Sequence, residues 1–135
     1  MRFLLDTDTC IYALKQDAIV LENMLSRSRA DVAVSVITEA ELRTGAAKSS
    51  APAKTLHLVE NFLRPLTIVE YTSADAASYA QVRARLERAG TPIGPLDTLI
   101  AAQAMSRKLV LVTNNQREFC RVQGLRLDNW AGTER

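Results

Sequence analysis

Two hydrophobic rhythms alternate along the chain. Phe3-Leu4-Leu5 and Leu109-Val110-Leu111-Val112 are short apolar runs closed by polar residues, as in strands covered on both faces. Val32, Val34 and Val36 recur at every second position and predict a strand over 31–36. Residues 66–71 read as a further strand, and a last one falls near 125–127. Between them the spacing is helical. Helices are expected over 10–15 and, after a break near Gln16-Asp17, over 19–25. The next spans 38–47, stopping near Gly45 and Ser49-Ser50. Pro52 suits the first turn of a helix carrying Leu56, Val59, Phe62 and Leu63, broken by Pro65. Helices over 73–89, over 95–108 and, briefly, over 116–122 complete the series.

Strands alternating with helices predict an α/β domain: a parallel sheet with helices on both faces. In such sheets, ligands gather beyond the carboxyl ends of the strands. With 135 residues the chain fits one domain, 1–135. It shows no internal repeat, linker or low-complexity segment.

Composition narrows the chemistry. Aromatic residues make up 5% of the chain, so the core must be aliphatic. A net charge of +2 permits nucleic-acid binding without demanding it. Arg83, Arg85 and Arg88 crowd one segment, and Arg107, Lys108, Arg117 and Arg121 another. Taken alone, each group reads first as a solvated helix face and second as a set of phosphate-steering charges. Cys10 and Cys120 lack metal-binding spacing and His57 is the sole histidine, which excludes a structural zinc site. His57 lies in an apolar helical stretch, a poor setting for a nucleophile system. Asp6 interrupts the N-terminal apolar run too early for a signal-peptide core, and nowhere do 18 apolar residues run together. A cytoplasmic protein without membrane contact is expected.

Acidic and amide groups recur just after the strands. Asp6 and Asp8 follow the first, Glu39 and Glu41 the second; Asp97 opens the helix leading to the fourth, which Asn114, Asn115 and Glu118 follow. Carboxylates that converge without a basic partner become stable around a cation. Oxygen ligands without Cys or His select Mg²⁺ or Mn²⁺. Such an ion serves phosphoryl chemistry. A plainer reading stands beside each residue. Thr38-Glu39-Ala40-Glu41 and Thr113-Asn114-Asn115-Gln116 both fit capping boxes. Asp97 suits a helix dipole, and Asp6 or Asp8 can cap the first helix.

At these residues the chain resembles a known family. Leu4-Leu5-Asp6-Thr7-Asp8 with Ile11-Tyr12 looks like the opening of PIN-domain nucleases. Ser35-Val36-Ile37-Thr38-Glu39-Ala40-Glu41-Leu42 with Gly45 resembles their second acidic motif, and Ile93-Gly94-Pro95-Leu96-Asp97 with Ile100-Ala101-Ala102 their third. The segment from Val112 to Phe119, then Val122, Gly124-Leu125 and Asn129-Trp130, resembles the tail of VapC toxins. The resemblance implies a three-layer α/β/α fold with a central parallel sheet, a homodimer, and a Mg²⁺-dependent endoribonuclease restrained by a VapB-like antitoxin. It implies metal-binding roles for Asp6, Glu41 and Asp97, with Glu118 as a further catalytic acid. Asp8, Thr113 and Asn115 would support them, and Arg83, Arg85, Arg107 and Arg117 would steer RNA. The tail suggests transfer RNA as substrate, initiator tRNA first. Two departures matter. Many PIN domains carry Asn where this chain has Asp8, and many carry Asp where it has Asn115.

Two other readings remain open at this stage. Asp6-Thr7-Asp8-Thr9 matches the nucleophile motif of haloacid-dehalogenase-like phosphatases, although no Lys follows Thr113. A PIN-like domain that binds RNA or a partner without cutting is the other.

Overall fold

Phe3-Leu4-Leu5 forms the middle of the sheet, because each of its side chains can be covered. Alternate residues of a strand face opposite sides. Leu4 accordingly packs with Ala33, Val69, Leu86, Ile100 and Phe119, whereas Phe3 and Leu5 pack with Val34, Leu42, Val59 and Trp130 on the other side. A computed structural model describes residues 1–133 and 135. In chain order the elements are β1 (Phe3–Leu5), α1 (Thr7–Leu14), α2 (Ala18–Leu25), β2 (Val32–Ser35), α3 (Val36–Ala47) and α4 (Pro52–Leu63). There follow β3 (Thr67–Val69), α5 (Ser73–Arg88), α6 (Pro95–Arg107), β4 (Val110–Val112), α7 (Gln116–Phe119) and β5 (Leu127–Asp128).

The strand order is β3-β2-β1-β4-β5, and every pairing is parallel. Helices cover both faces, giving the expected three-layer α/β/α architecture. Leu5 is level with Val34 and with Val112, so the chain leaves β1, β2 and β4 at one common edge. The order reverses between β1 and β4, which is where a doubly wound sheet opens a crevice. Among the described residues, no helix is long and apolar enough to cross a membrane.

Two helix starts differ from expectation, and both concern the crevice. Helix α1 begins at Thr7 rather than Cys10, because the Asp6 carboxylate accepts the Thr7 N–H at 2.8 Å. Helix α3 begins at Val36 rather than Thr38. Ser35 caps it, its hydroxyl accepting from the Ile37 N–H at 3.1 Å. The β-branched pair Val36-Ile37 has strand propensity, yet it forms the first helical turn behind this cap. The last strand lies at Leu127–Asp128, later than the apolar pattern suggests.

A buried polar joint fixes α6 against α5. Asp75 is fully buried (0%) and accepts from the Thr72 N–H at 2.9 Å, from Gln103 Nε2 at 3.1 Å and from Arg107 Nη2 at 3.1 Å. Gln103 Nε2 and Arg107 Nη2 also donate to the Glu70 carbonyl. Burial pushes the Asp75 carboxyl up. The bonds from Arg107, Thr72, Gln103 and Ser106 outweigh that and hold it well below the usual carboxylate range. With its far end anchored in this way, α6 presents its first turn to the crevice.

Candidate active site

Each acid expected at the crevice arrives on a different element. Asp6 follows β1 and is nearly buried, at 4% exposure. Its backbone N–H donates to the Val112 carbonyl at 2.8 Å, tying the ends of β1 and β4 together. Its Oδ1 accepts the Thr7 N–H, and its Oδ2 accepts from the Thr113 hydroxyl at 2.8 Å. Asp6 therefore caps a helix and faces the crevice at once. Asp8, in the first turn of α1, accepts the Asn114 N–H at 3.1 Å.

Glu41 reaches the same edge from α3. The capping-box reading of Thr38 to Glu41 fails, because Ser35 is the cap and Thr38 sits inside the helix. The Glu41 carboxylate is free of the helix start and accepts instead from the Thr7 hydroxyl at 2.7 Å. Glu39, its neighbour in sequence, faces away and pairs with Arg43. The second capping box fails likewise. Asn115 stands at the cap of α7 without a side-chain cap bond; its Nδ2 donates to Glu118 Oε2 at 2.7 Å. The Thr113 hydroxyl accepts the Asn115 N–H at 2.9 Å while it donates to Asp6.

Asp97 completes the group from the first turn of α6. Partial burial raises its carboxyl first, and the charges of Glu118, Glu41 and Asp8 raise it further, to about 6. Asp6 also stands well above the usual range. Burial is the main cause; Asp8 and Asp97 add to it, against the hydrogen bonds of Thr113 and Thr7. Five carboxylates from four helices and one strand end thus share one field of a single sign. Burial together with that field also raises the Cys10 thiol, which therefore stays protonated and is no nucleophile.

This donor set suits a hard divalent cation, being oxygen throughout with its charges unrelieved by one another. As the side chains stand, no group of three or more His, Cys, Asp or Glu among the described residues is gathered tightly enough to hold an ion. Thr7 and Asn115 hold Glu41 and Glu118 in their present positions. Asn115, and Thr113, which holds Asp6, were visible in the sequence as supporting residues. Thr7 was not, because a hydroxyl after Asp6 reads as ordinary helix-start filler. The Thr72-Ser73-Ala74-Asp75 capping box offered a signal for Asp75, but nothing local announced Arg107 as its partner.

The four arginines divide. Arg117 shares α7 with Glu118 and lines a recess with Asn114, Asn115 and Arg135 beside the acids. Arg83 pairs with Glu87 and with the Tyr79 hydroxyl on α5. Arg85 lines a second recess with Arg121 and Gln123. Arg107 is committed to Asp75 and Glu70. It lies ten residues beyond Asp97 on α6, roughly 15 Å along the axis, so the structure does not bring it to the acids.

Comparison with known proteins agrees with this arrangement. Residues 3–125 match the PIN domain family. The chain is 42% identical over 130 residues to the tRNA(fMet)-specific endonuclease VapC of Salmonella typhimurium, covering 96% of this chain and 98% of that one. It is 39% identical to the protein of the same description from Shigella flexneri, over 97% and 99% of the two chains. Among solved structures, DNA-bound VapBC from Salmonella typhimurium superposes with a TM-score of 0.90 at 43% identity, covering 96% of this chain and 98% of that one. VapBC2 from Rickettsia felis bound to a promoter DNA fragment superposes with a TM-score of 0.91 at 34% identity, over 96% and 99%. The phosphatase reading of Asp6 finds no support in these likenesses.

Proposed function

The chain belongs to the PIN-domain family, and within it to the VapC ribonucleases, and from that premise we propose that it is the toxin of a toxin–antitoxin pair, a Mg²⁺-dependent endoribonuclease that cuts transfer RNA. The observation that carries the reading is the unpaired acidic field: Asp97 is driven up to about 6 by burial and by Glu118, Glu41 and Asp8. Asp6, Glu41 and Asp97 would hold Mg²⁺ or Mn²⁺, with Glu118 completing the set. When bound, the ion supplies Lewis acidity toward water and neutralises charge on a phosphodiester. Asp6 is kept in place by Thr113 and the Thr7 N–H, Glu41 by the Thr7 hydroxyl, and Glu118 by Asn115. Asp8 deepens the negative potential from the first turn of α1. Arg117, beside the acids, and Arg83 and Arg85 on α5 steer the RNA backbone, so binding weakens with salt. Because the 2′-hydroxyl takes no part, the cut leaves a 3′-hydroxyl and a 5′-phosphate. Relatives described as specific for tRNA(fMet) make initiator tRNA the first substrate to try.

The partner is a cytoplasmic VapB-like antitoxin, and the chain pairs as a homodimer. An apolar groove of about 350 Å³, lined by Ile11, Leu14, Leu42, Ala46, Leu58 and Val59, runs up to Glu41 and suits an antitoxin segment. A basic side chain at the end of that segment would compete with the cation for the acids. The test uses purified protein freed of its partner, initiator tRNA and Mg²⁺ or Mn²⁺. Discrete cuts that vanish with EDTA and with Asp6→Ala are expected. Cuts that persist in either control would overturn the assignment, and no cuts from the folded wild-type protein on any transfer RNA would turn it into a binding module.

A further inference from the structure

Thr7 touches two of the three acids assigned to the cation. Its backbone N–H donates to Asp6 Oδ1 at 2.8 Å, and its Oγ1 stands 2.7 Å from Glu41 Oε1. The same oxygen stands 3.1 Å from the hydroxyl of Thr38, which is fully buried on α3, one turn before Glu41. Proton counting fixes the direction of these bonds. A hydroxyl has one proton and a carboxylate can only accept, so Thr7 donates to Glu41. The shorter distance agrees, as expected of a charge-assisted bond. The Thr7 oxygen is then left to accept from Thr38. The result is a relay, Thr38 to Thr7 to Glu41, in which each bond polarises the next.

Helix capping does not explain this hydroxyl. Asp6 already caps α1, and it does so through the Thr7 backbone rather than the side chain. Valine at position 7 would keep the N–H, the β-branch and nearly the same volume. What it would remove is the bond to Glu41. That bond occupies Oε1 and thereby fixes the rotation of the carboxylate, with Oε2 outside it. A ligand held in this way by an outer hydrogen bond binds its ion more tightly, because less side-chain freedom is lost on binding.

We propose that Thr7, backed by Thr38, is a positioning residue that couples Asp6 to Glu41 and limits the side-chain freedom the two acids give up when they close on a divalent cation. This rests on the metal-site reading above. The test is a calorimetric titration of Mn²⁺ into metal-free wild-type protein, Thr7→Val, Thr7→Ser and Asp6→Asn, with thermal melts in EDTA to show that each is folded. Thr7→Val should weaken Mn²⁺ binding by about 10- to 100-fold. Thr7→Ser, which keeps the hydroxyl, should stay within about threefold of wild type. At saturating Mn²⁺ the cleavage rate of Thr7→Val should recover most of its loss, since the acids themselves remain. Thr7→Val binding Mn²⁺ within twofold of wild type, while Asp6→Asn has lost it, would overturn the role of Thr7 and leave the metal site standing. A wild-type protein that binds no Mn²⁺ would overturn the metal site, and this inference with it.

Discussion

The protein buries two carboxylates and treats them in opposite ways. Asp75, between α5 and α6, is fully enclosed, yet Arg107, Gln103 and the Thr72 N–H satisfy it, and its carboxyl lies below the ordinary range. Asp6 is almost as enclosed, but the charges acting on it are Asp8 and Asp97, and its carboxyl lies above that range. Burial is alike in the two places; the partner differs. A buried acid with a cation built in is structural, since its ionisation helps to hold the fold. A cluster of like charges around a buried acid costs stability, and folds retain such clusters where a ligand supplies the missing charge.

The largest expected effect falls on the crevice. Asp97→Ala should remove several kcal/mol of transition-state stabilisation and lower the cleavage rate on the order of a thousandfold or more, read from initial rates on transfer RNA. Its unfolding midpoint in urea should be no lower than that of wild type. A parallel fall in midpoint would mean that Asp97, like Asp75, is a structural acid.

Asp75→Ala should show the reverse. Leaving Arg107 and Gln103 without their acceptor destabilises the fold by about 3 kcal/mol in urea unfolding. At a temperature where the variant is still folded, its cleavage rate should stay within a few-fold of wild type. A loss of activity at full stability would place Asp75 in the chemistry.

Metal-free protein allows a gentler contrast. Asp97 titrates near 6 in the fold against 3.8 in its absence, so its ionisation costs stability. The penalty is nil below about pH 4, grows as pH rises, and is complete above about pH 6. That rise corresponds to about 3 kcal/mol. Solvent screening of this half-buried group reduces that to about 1–2 kcal/mol. In EDTA at pH 7, Asp97→Asn should therefore be the more stable protein by that amount, with the difference closing toward pH 4. An Asn variant less stable than wild type at pH 7 would refute the unpaired field.

The smallest effect separates two arginines. Arg117→Ala should weaken RNA binding a few-fold and lower the salt slope by about one. Arg107→Ala should leave RNA binding alone and lower stability, following its partner Asp75. If Arg107→Ala flattened the salt slope, the separation of structural from functional charge would fail.

Much of this was legible in the sequence, and the failures are instructive. Phe3-Leu4-Leu5 and Leu109 to Val112 read as doubly covered strands because apolar runs bounded by polar residues have few other uses, and both lie at the sheet's centre as β1 and β4. From their ends the crevice and its acids followed. The boundary at Val36 was misread because β-branched residues favour strands, while Ser35 stops the strand with a single hydroxyl. That error mattered, since it left capping as a rival explanation for Glu41. The Asp75–Arg107 pair could not be read at all. It joins residues 32 apart through the packing of α5 on α6, and sequence spacing carries no trace of such a contact. Arg107 consequently looked like one more basic residue available to RNA.

The central claim is that the crevice acids form a seat for a divalent cation. Thermal unfolding at increasing Mn²⁺ tests it most directly, comparing wild type with Asp6→Asn and with Asp75→Asn. Wild type should gain about 2.7 kcal/mol when Mn²⁺ reaches a hundred times its dissociation constant. Asp75→Asn, starting from a lower melting point, should gain as much, and Asp6→Asn should gain almost nothing. A wild-type melting point indifferent to Mn²⁺, or an equal rise in Asp6→Asn, would contradict the account.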